Sequence, residues 1–358
     1  MGALNSGTNL CIPTTGQLFD YFGKNTPLGR ENNGTAFLQF LKSATNTQGL
    51  KRLSDSITGV AGKTRGVKLM TNKPVCFSIC ASPFNCLEEP TPYTSPISVY
   101  DYEIESRFTP CDANGDPMAL FLNSAQYAQY CDMDDKSFFD EMIMNYDMRF
   151  IKELDKALVQ MLLTNINNSV KTYPILAQNT TTGQRVLNDE LPLWIEELVA
   201  ESKMNSSDYV IFGGQMVNLI KAKFGVGTLS TEGATSVSST LPDMYYDRNF
   251  DVVFGKNSLV LIPKAAFQFV EWTQYTGSKA FNGEREILFN KSVPLGNGTS
   301  QTIDFVWEWD PKCSKYQYMP SLYAELVKAI GGGCGLNDDQ DGIYIIKDCS
   351  TNLIPTCS

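Results

Sequence analysis

Histidine is absent from all 358 residues. The commonest general base and the commonest metal ligand are therefore missing. Ser-His-Asp, Cys-His and His-metal chemistries are excluded, and only Cys-, Lys-, Ser- or carboxylate-based catalysis survives. No apolar run reaches membrane-spanning length, and no secretory signal is recognisable at the start. Charged residues are sparse, at 19% against 42% hydrophobic. That balance is globular and not disordered. The formal net charge of −10 argues against general affinity for nucleic acid. The length is enough for a large core and roughly two or three domains.

Ten cysteines are present. With no secretory signal, and in a chain too large to need stapling, they are expected to be reduced thiols in a cytoplasm. The spacing of Cys76, Cys80 and Cys86 fits no common zinc pattern. The opening Met1-Gly2-Ala3-Leu4-Asn5-Ser6 matches a myristoylation pattern, which is short and frequent by chance. Formal glycosylation sequons such as Asn33-Gly34-Thr35 mean little without a signal peptide.

Charge is unevenly spread. Residues 42–73 carry Lys42, Lys51, Arg52, Lys63, Arg65, Lys68 and Lys73 against Asp55 alone. Residues 88–147 carry thirteen acids against Arg107 and Lys136. The two stretches either pair within the fold, pair between identical subunits, or remain solvated surfaces.

The strongest periodic signal runs from Asp135 to Ile166. Phe139, Met142, Tyr146, Phe150, Leu154, Leu158, Met161, Leu162 and Ile166 form one stripe, with no Pro or Gly to interrupt it. Asp132, Asp134 and Asp135 stand at its start, where the helix dipole favours negative charge. Such a helix is roughly 45–50 Å long at 1.5 Å per residue.

Elsewhere a short helix is expected from Thr35 to Leu41, continuing through Leu50 and Leu53 after a polar break. Val67–Met70 and Val75–Ile79 read as strands of a basic hairpin. Ile97–Phe108 reads as a strand, residues 187–203 as a second amphipathic helix, and Tyr209–Phe212 as a buried strand. Gly213-Gly214 turns into a helix at Gln215–Phe224. Phe250–Val253 and Ser258–Ile262 read as strands around Gly255-Lys256-Asn257, and Pro263–Ala266 as a helical turn. Phe267–Tyr275, Arg285–Asn290 and Thr302–Asp310 read as further strands. Ser321–Ile330 is left open between helix and strand. Gly331-Gly332-Gly333 then reads as a linker to a separate tail.

The search for chemistry returns weak signals. Asn337, Asp339, Asp341 and Gly342, with Asp348 at the twelfth position, partly match a calcium loop. The first and last ligands depart from the pattern, and a polar turn before a strand explains the segment better. Asp112, Asn114 and Asp116 make a similar partial pattern, but Pro117 stands where Gly is needed. Gly213-Gly214, between strand and helix, has the position of a phosphate-cradling turn without the rest of that motif. The four tryptophans read as core or interface, and paired acids such as Glu88-Glu89, Asp134-Asp135 and Glu196-Glu197 as helix starts and solvated faces. No catalytic residue, cofactor or firm metal site is expected.

The order of elements resembles the major capsid proteins of tailed bacteriophages, with the α+β Hong Kong 97-type fold. Residues 1–54 resemble its N-terminal arm, and 55–96 the extended hairpin called the E-loop. Residues 97–186 resemble the P domain with its spine helix at 135–166. Residues 187–265 resemble the A domain, 266–330 the returning P-domain strands, and 331–358 a tail outside the common pattern. The segment Ser207 to Tyr275 carries most of the resemblance, with Tyr209-Val210-Ile211-Phe212, a helix, Asp251-Val252-Val253-Phe254, a Gly turn and Leu259-Val260-Leu261-Ile262. Phe305-Val306-Trp307-Glu308-Trp309-Asp310 resembles a closing P-domain strand.

The resemblance implies a non-enzymatic shell protein. Its partners would be copies of itself, in hexamers and pentamers, with portal, scaffold or decoration proteins possible. It would enclose double-stranded DNA without sequence-specific binding, touch no membrane, and be built in the bacterial host's cytoplasm before residing in the virion. Lys63, Arg65, Lys68, Lys73, Asp132, Asp134 and Asp135 are the expected subunit contacts. Two other readings stand beside this one: a nanocompartment shell of the same fold, and a secreted adhesin or glycan-binding protein.

Overall fold

The computed structural model describes residues 35–43, 45–46, 50–53, 65–72, 97–104, 106–123, 137–166, 170–178, 185–202, 205–224, 241–264, 266–273, 280–281, 286–296, 299–310, 315–328 and 342–349. Its helices are α1 (Ala36–Lys42), α2 (Ser137–Asn165), α3 (Leu191–Glu201), α4 (Gln215–Phe224) and α5 (Arg248–Phe254). They accompany a five-stranded sheet, an eight-stranded sheet and two separate strand pairs.

Helix α2 spans 29 residues, about 43 Å at 1.5 Å per residue. Its buried face has two rows spaced by four. One is Phe150, Leu154, Leu158, Leu162 and Ile166, as the stripe predicts. The other is Ile143, Asp147, Ile151, Asp155 and Val159, also buried. The outer face carries Arg149, paired with Glu153 at 2.8 Å. Such exposed pairs each contribute only about 0.2–0.5 kcal/mol, so α2 is held mainly by its buried face.

The five-stranded sheet runs in the order Asp243–Tyr246, Tyr209–Gly213, Ser258–Pro263, Tyr344–Asp348, Val170–Tyr173. Its central strands are continuous apolar runs because both faces are covered. Val210, Phe212, Val260, Ile262 and Ile345 share a core with α1 and α2. Tyr209, Ile211, Leu259, Leu261, Tyr344 and Ile346 share another with α3 and α4.

Three sequence expectations change in this sheet. Within the segment after Gly331, residues 342–349 are described, and they are not a separate tail. Tyr344–Asp348 lies between Ser258–Pro263, antiparallel, and Val170–Tyr173, parallel. Phe250–Val253 is no strand but part of α5. Asp247 caps it by accepting from the Asn249 N–H at 2.9 Å, and Gly255 stops it at φ +101. The cap and the buried i,i+4 pair Phe250 and Phe254 outweigh the β-branched Val252, which stays 60% exposed. The unforeseen strand Asp243–Tyr246 pairs parallel to Tyr209–Gly213.

The eight-stranded sheet is organised by Lys315–Lys328, a single 14-residue strand. One half pairs with Thr299–Asp310 and the other with Phe267–Trp272. Its remaining edges take Arg107–Phe108 and Leu120–Asn123. Thr299–Asp310 in turn pairs with Glu286–Gly296. Leu50–Leu53 does not extend the first helix. It pairs parallel with Phe267–Trp272, and Ser43 ends α1 in extended backbone. A single apolar cluster joins this sheet, through Phe269, Leu295, Ile303, Phe305 and Tyr318, to α2 and the five-stranded sheet.

Arg65–Asn72 pairs antiparallel with Ile97–Ile104 in unbroken register. The expected partner at 75–79 lies outside the described residues. The strand's actual partner is the more distant Ile97–Ile104, so a local basic hairpin is replaced by a longer one of mixed charge. Lys68 stands opposite Asp101, and Gly66 opposite Glu103. The hairpin's described anchorage to the large sheet is at its base, where Ile104 packs with Val270, Trp272, Tyr323 and Val327.

Candidate functional site

Helix α1 has seven residues, too few to persist alone in water. Docking holds it. Phe37, Leu38, Phe40 and Leu41 are buried. Phe37 meets Phe212 edge-on at 5.4 Å and Phe250 at 5.6 Å, and Phe40 meets Phe212 at 5.3 Å. Phe212 stacks on Tyr245 and Phe250 at 5.1 and 5.0 Å. Each such pair contributes about 0.5–1.5 kcal/mol beyond area burial.

Polar groups fix α1 at both ends. At its first turn the Phe37 N–H donates to Asp247 at 3.0 Å and the Leu38 N–H to Asp155 at 2.7 Å. These otherwise orphaned donors are met by carboxyl groups from α5's cap and from α2. The Asn249 amide donates to Asp155 at 2.8 Å, and Asp155 and Asp247 are hydrogen-bonded to each other. Both are fully buried. Burial, and then the charge of Asp247, pushes the Asp155 carboxyl well above the usual range. Burial pushes Asp247 up as well. Two adjacent buried carboxyls cannot both ionise at low cost.

At the last turn Lys42 donates to Glu271 at 3.0 Å and to Gln301 at 2.8 Å. The Gln301 amide returns a bond to Glu271 at 2.8 Å. The Lys42 and Glu271 side chains are 3% and 1% exposed. Helix α1 thereby ties α2 and α5 to the eight-stranded sheet.

A second node lies on the same row of α2. Asp147 accepts from Lys291 at 3.0 Å and from the Tyr318 hydroxyl at 2.7 Å. Burial raises the Asp147 carboxyl despite Lys291. Burial and Asp147 together push the Tyr318 hydroxyl well up, and Tyr146 beside them is pushed up to about 12 by burial. Both oxygens of Asp147, Asp155 and Asp247 accept from protein donors. The arrangement positions helices and offers no free base.

The Gly213-Gly214 turn is also occupied by the protein itself. Asp251 of α5 accepts from the Gln215 N–H at 2.9 Å and from the Gly214 N–H. An intramolecular carboxylate thus fills the place a phosphate would take. A Cβ on Gly214 would stand 2.2 Å from the Asp251 carboxyl carbon. Gly214→Ala is therefore expected to displace Asp251 and cost about 1–3 kcal/mol through lost capping and overpacking. Urea unfolding measures it, and Gly214→Ala/Asp251→Ala should cost no more than Asp251→Ala alone.

Of the sequence-derived site residues, Lys63, Lys73, Asp132, Asp134, Asp135, Asn337, Asp339 and Asp341 lie outside the described residues. Arg65 and Lys68 lie on the first hairpin strand. Asp348 ends a strand, accepting from the Leu176 N–H at 3.2 Å and donating its own N–H to the Asn257 carbonyl. Asp112 closes a turn, accepting from the N–H groups of Asn114 at 2.8 Å and Asp116 at 3.0 Å. No group of three or more metal-ligating side chains occurs among the described residues. Trp272 and Trp307 are buried, and Trp194 stacks on Tyr173 at 5.0 Å. Cys111 is a free, exposed thiol. Cys349 is disulfide-bonded, which corrects the expectation of reduced thiols throughout.

The buried carboxylates were absent from the sequence-derived site. Their signal was the Ile143, Asp147, Ile151, Asp155, Val159 row, in which acids alternate with apolar residues at intervals of four.

No protein-family model matches the sequence, and no curated protein matches it. Among solved structures the chain is similar to one from Mycobacterium phage Cain, at 9% identity and a TM-score of 0.47, covering 92% of this chain and 95% of that one. It is similar to the capsid of Myoviridae phage XM1, at 12% identity and a TM-score of 0.42, covering 91% and 95%. It is also similar to the capsid of an empty GTA particle, at 10% identity and a TM-score of 0.44, covering 97% and 99%. At these identities and TM-scores the likeness carries no further argument.

Proposed function

We propose that this chain is a structural shell subunit, the major capsid protein of a tailed bacteriophage. In this reading copies of it assemble as hexamers and pentamers into an icosahedral head around double-stranded DNA. The hairpin serves as the E-loop, α2 as the spine, the eight-stranded sheet as the P domain and the five-stranded sheet as the A domain; the arm expected over 1–54 excludes α1 and Leu50–Leu53, which belong to the core and to the larger sheet. Portal, scaffold and decoration proteins are its natural further partners.

The observation that carries the reading is the hairpin Arg65–Asn72 with Ile97–Ile104. Among the described residues it forms a two-stranded sheet of its own, with no strand paired to either large sheet. An isolated two-stranded hairpin is marginal in water and leaves both edges open for pairing. Burial against a neighbouring subunit stabilises such an element by mass action. The mixed charge of its strands suits a contact with a like copy, in which each sign meets the other.

Replacing residues 66–102 by a short Gly-Ser linker keeps Ile104 and the core. The expected result is a subunit whose thermal midpoint stays within a few degrees of the parent but which no longer assembles. Loss of folding together with assembly, or assembly without the hairpin, overturns the reading. The Cys349 disulfide favours a secreted binding protein instead; such a protein would stay monomeric with or without the hairpin.

A further inference from the structure

The first turn of α1 is gripped by two carboxyl groups from different elements, Asp155 of α2 and Asp247 at the cap of α5. We propose that this pair is a proton-dependent latch. One proton shared between the two carboxyls holds α1, and loss of that proton frees α1.

The geometry dictates the coupling. While Asp155 is protonated, its O–H donates to the Asp247 carboxylate. The remaining lone pairs accept the Phe37 and Leu38 N–H groups and both donors of Asn249. When Asp155 gives its proton to a solvent base, two buried carboxylates face each other and no donor remains between them. Their repulsion is relieved by opening the site to water, and α1 is the element that can leave. It is short, and its described hydrogen bonds to the pair are made by backbone N–H groups.

Among the described residues, most nearby charges are engaged with partners of their own. The charged side chains on the packed elements include Lys42 on α1, Asp147, Arg149, Lys152, Glu153 and Lys156 on α2, and Arg248 and Asp251 on α5. The adjacent strands add Asp243, Glu271 and Lys264. Lys42 is held by Glu271 at the far end of α1. Lys156 pairs with Glu153, and Lys264 with Asp243. Asp251 caps α4, and Arg248 is exposed.

The sign of the effect is opposite to the ordinary aspartate case. A carboxyl raised in the folded state contributes stability that is fully present below its unfolded value and is lost as pH rises through the folded one. Alkali, not acid, should therefore open the latch. The inference concerns the subunit itself and does not depend on the proposed shell.

Hydrogen exchange of the purified full chain tests it, corrected for intrinsic rates, from about pH 4 to about pH 9. Protection of residues 35–43 is expected to fall about tenfold per pH unit above the ordinary carboxylate range, while 258–263 stays protected. Asp155→Asn should flatten that slope, because its amide donates to Asp247 without titrating and its oxygen still accepts from Leu38. Asp247→Asn should move the midpoint to lower pH, because the charge that raises Asp155 is gone. A wild-type profile independent of pH overturns the latch, and that result needs no variant to fold. So does an unchanged slope in Asp155→Asn, or loss of protection at 35–43 and 258–263 together.

Discussion

Removing residues 342–358 is expected to unfold the protein, not to trim it. The strand Tyr344–Asp348 hydrogen-bonds Ser258–Pro263 on one side and Val170–Tyr173 on the other, so its loss opens two ladders. Ile343, Tyr344, Ile345 and Ile346 are each at most 4% exposed, and burying such side chains contributes about 1.5–3 kcal/mol apiece. That sum is comparable with the roughly 5–15 kcal/mol stability of a whole domain. The Tyr209 hydroxyl also donates to the Gly342 carbonyl, at 3.0 Å. Both cores on the five-stranded sheet lose members, so the failure should spread to α2. Circular dichroism and urea titration of the shortened chain measure it. A cooperative transition at an unchanged midpoint would mean that the segment is an appendage after all.

Lys291→Met is expected to cost roughly 3–5 kcal/mol near neutral pH, the range for stranding one member of a buried pair. The Lys291 and Asp147 side chains are 12% and 1% exposed, so solvent screens them little. Methionine has a stem of similar shape and removes the cation, which also lies 5.5 Å from the Phe305 ring centroid. Asp147 is then left with Tyr318 as its donor. Burial already raises the Asp147 carboxyl, and Lys291 opposes that rise. The variant's carboxyl should therefore rise further. Its deficit should be smallest in acid, where Asp147 is neutral, and should grow as pH rises through the raised value. Asp147→Asn/Lys291→Met should recover most of the loss, since a neutral pair of similar shape carries no stranded charge. Urea unfolding at acid and neutral pH separates these outcomes. A deficit independent of pH would point to lost packing instead.

The buried nodes also mark where sequence reading stops. Helix α2 was legible because its Phe150, Leu154, Leu158, Leu162 row has the helical period and no breaker. Asp147 and Asp155 fall in the neighbouring row, and nothing local marks them as buried, because their partners Tyr318, Lys291, Leu38 and Asn249 are distant in sequence. The apolar run Ile343–Ile346 was legible as a strand. Its place beside Ser258–Pro263 was not, because sheet partners are chosen by tertiary packing and leave no local period. The α5 segment misled because Val252-Val253 favours strand while the deciding signal was the cap at Asp247. The hairpin was half legible. Its first strand stood out, but a closer apolar run competed for the partner role that Ile97–Ile104 fills.

Electron microscopy of the purified full-length protein, at high concentration and across a range of salt, tests the central claim most directly. The account predicts uniform closed shells or rings of capsomers, lost when the hairpin is replaced. A strictly monomeric species under all of these conditions would contradict it.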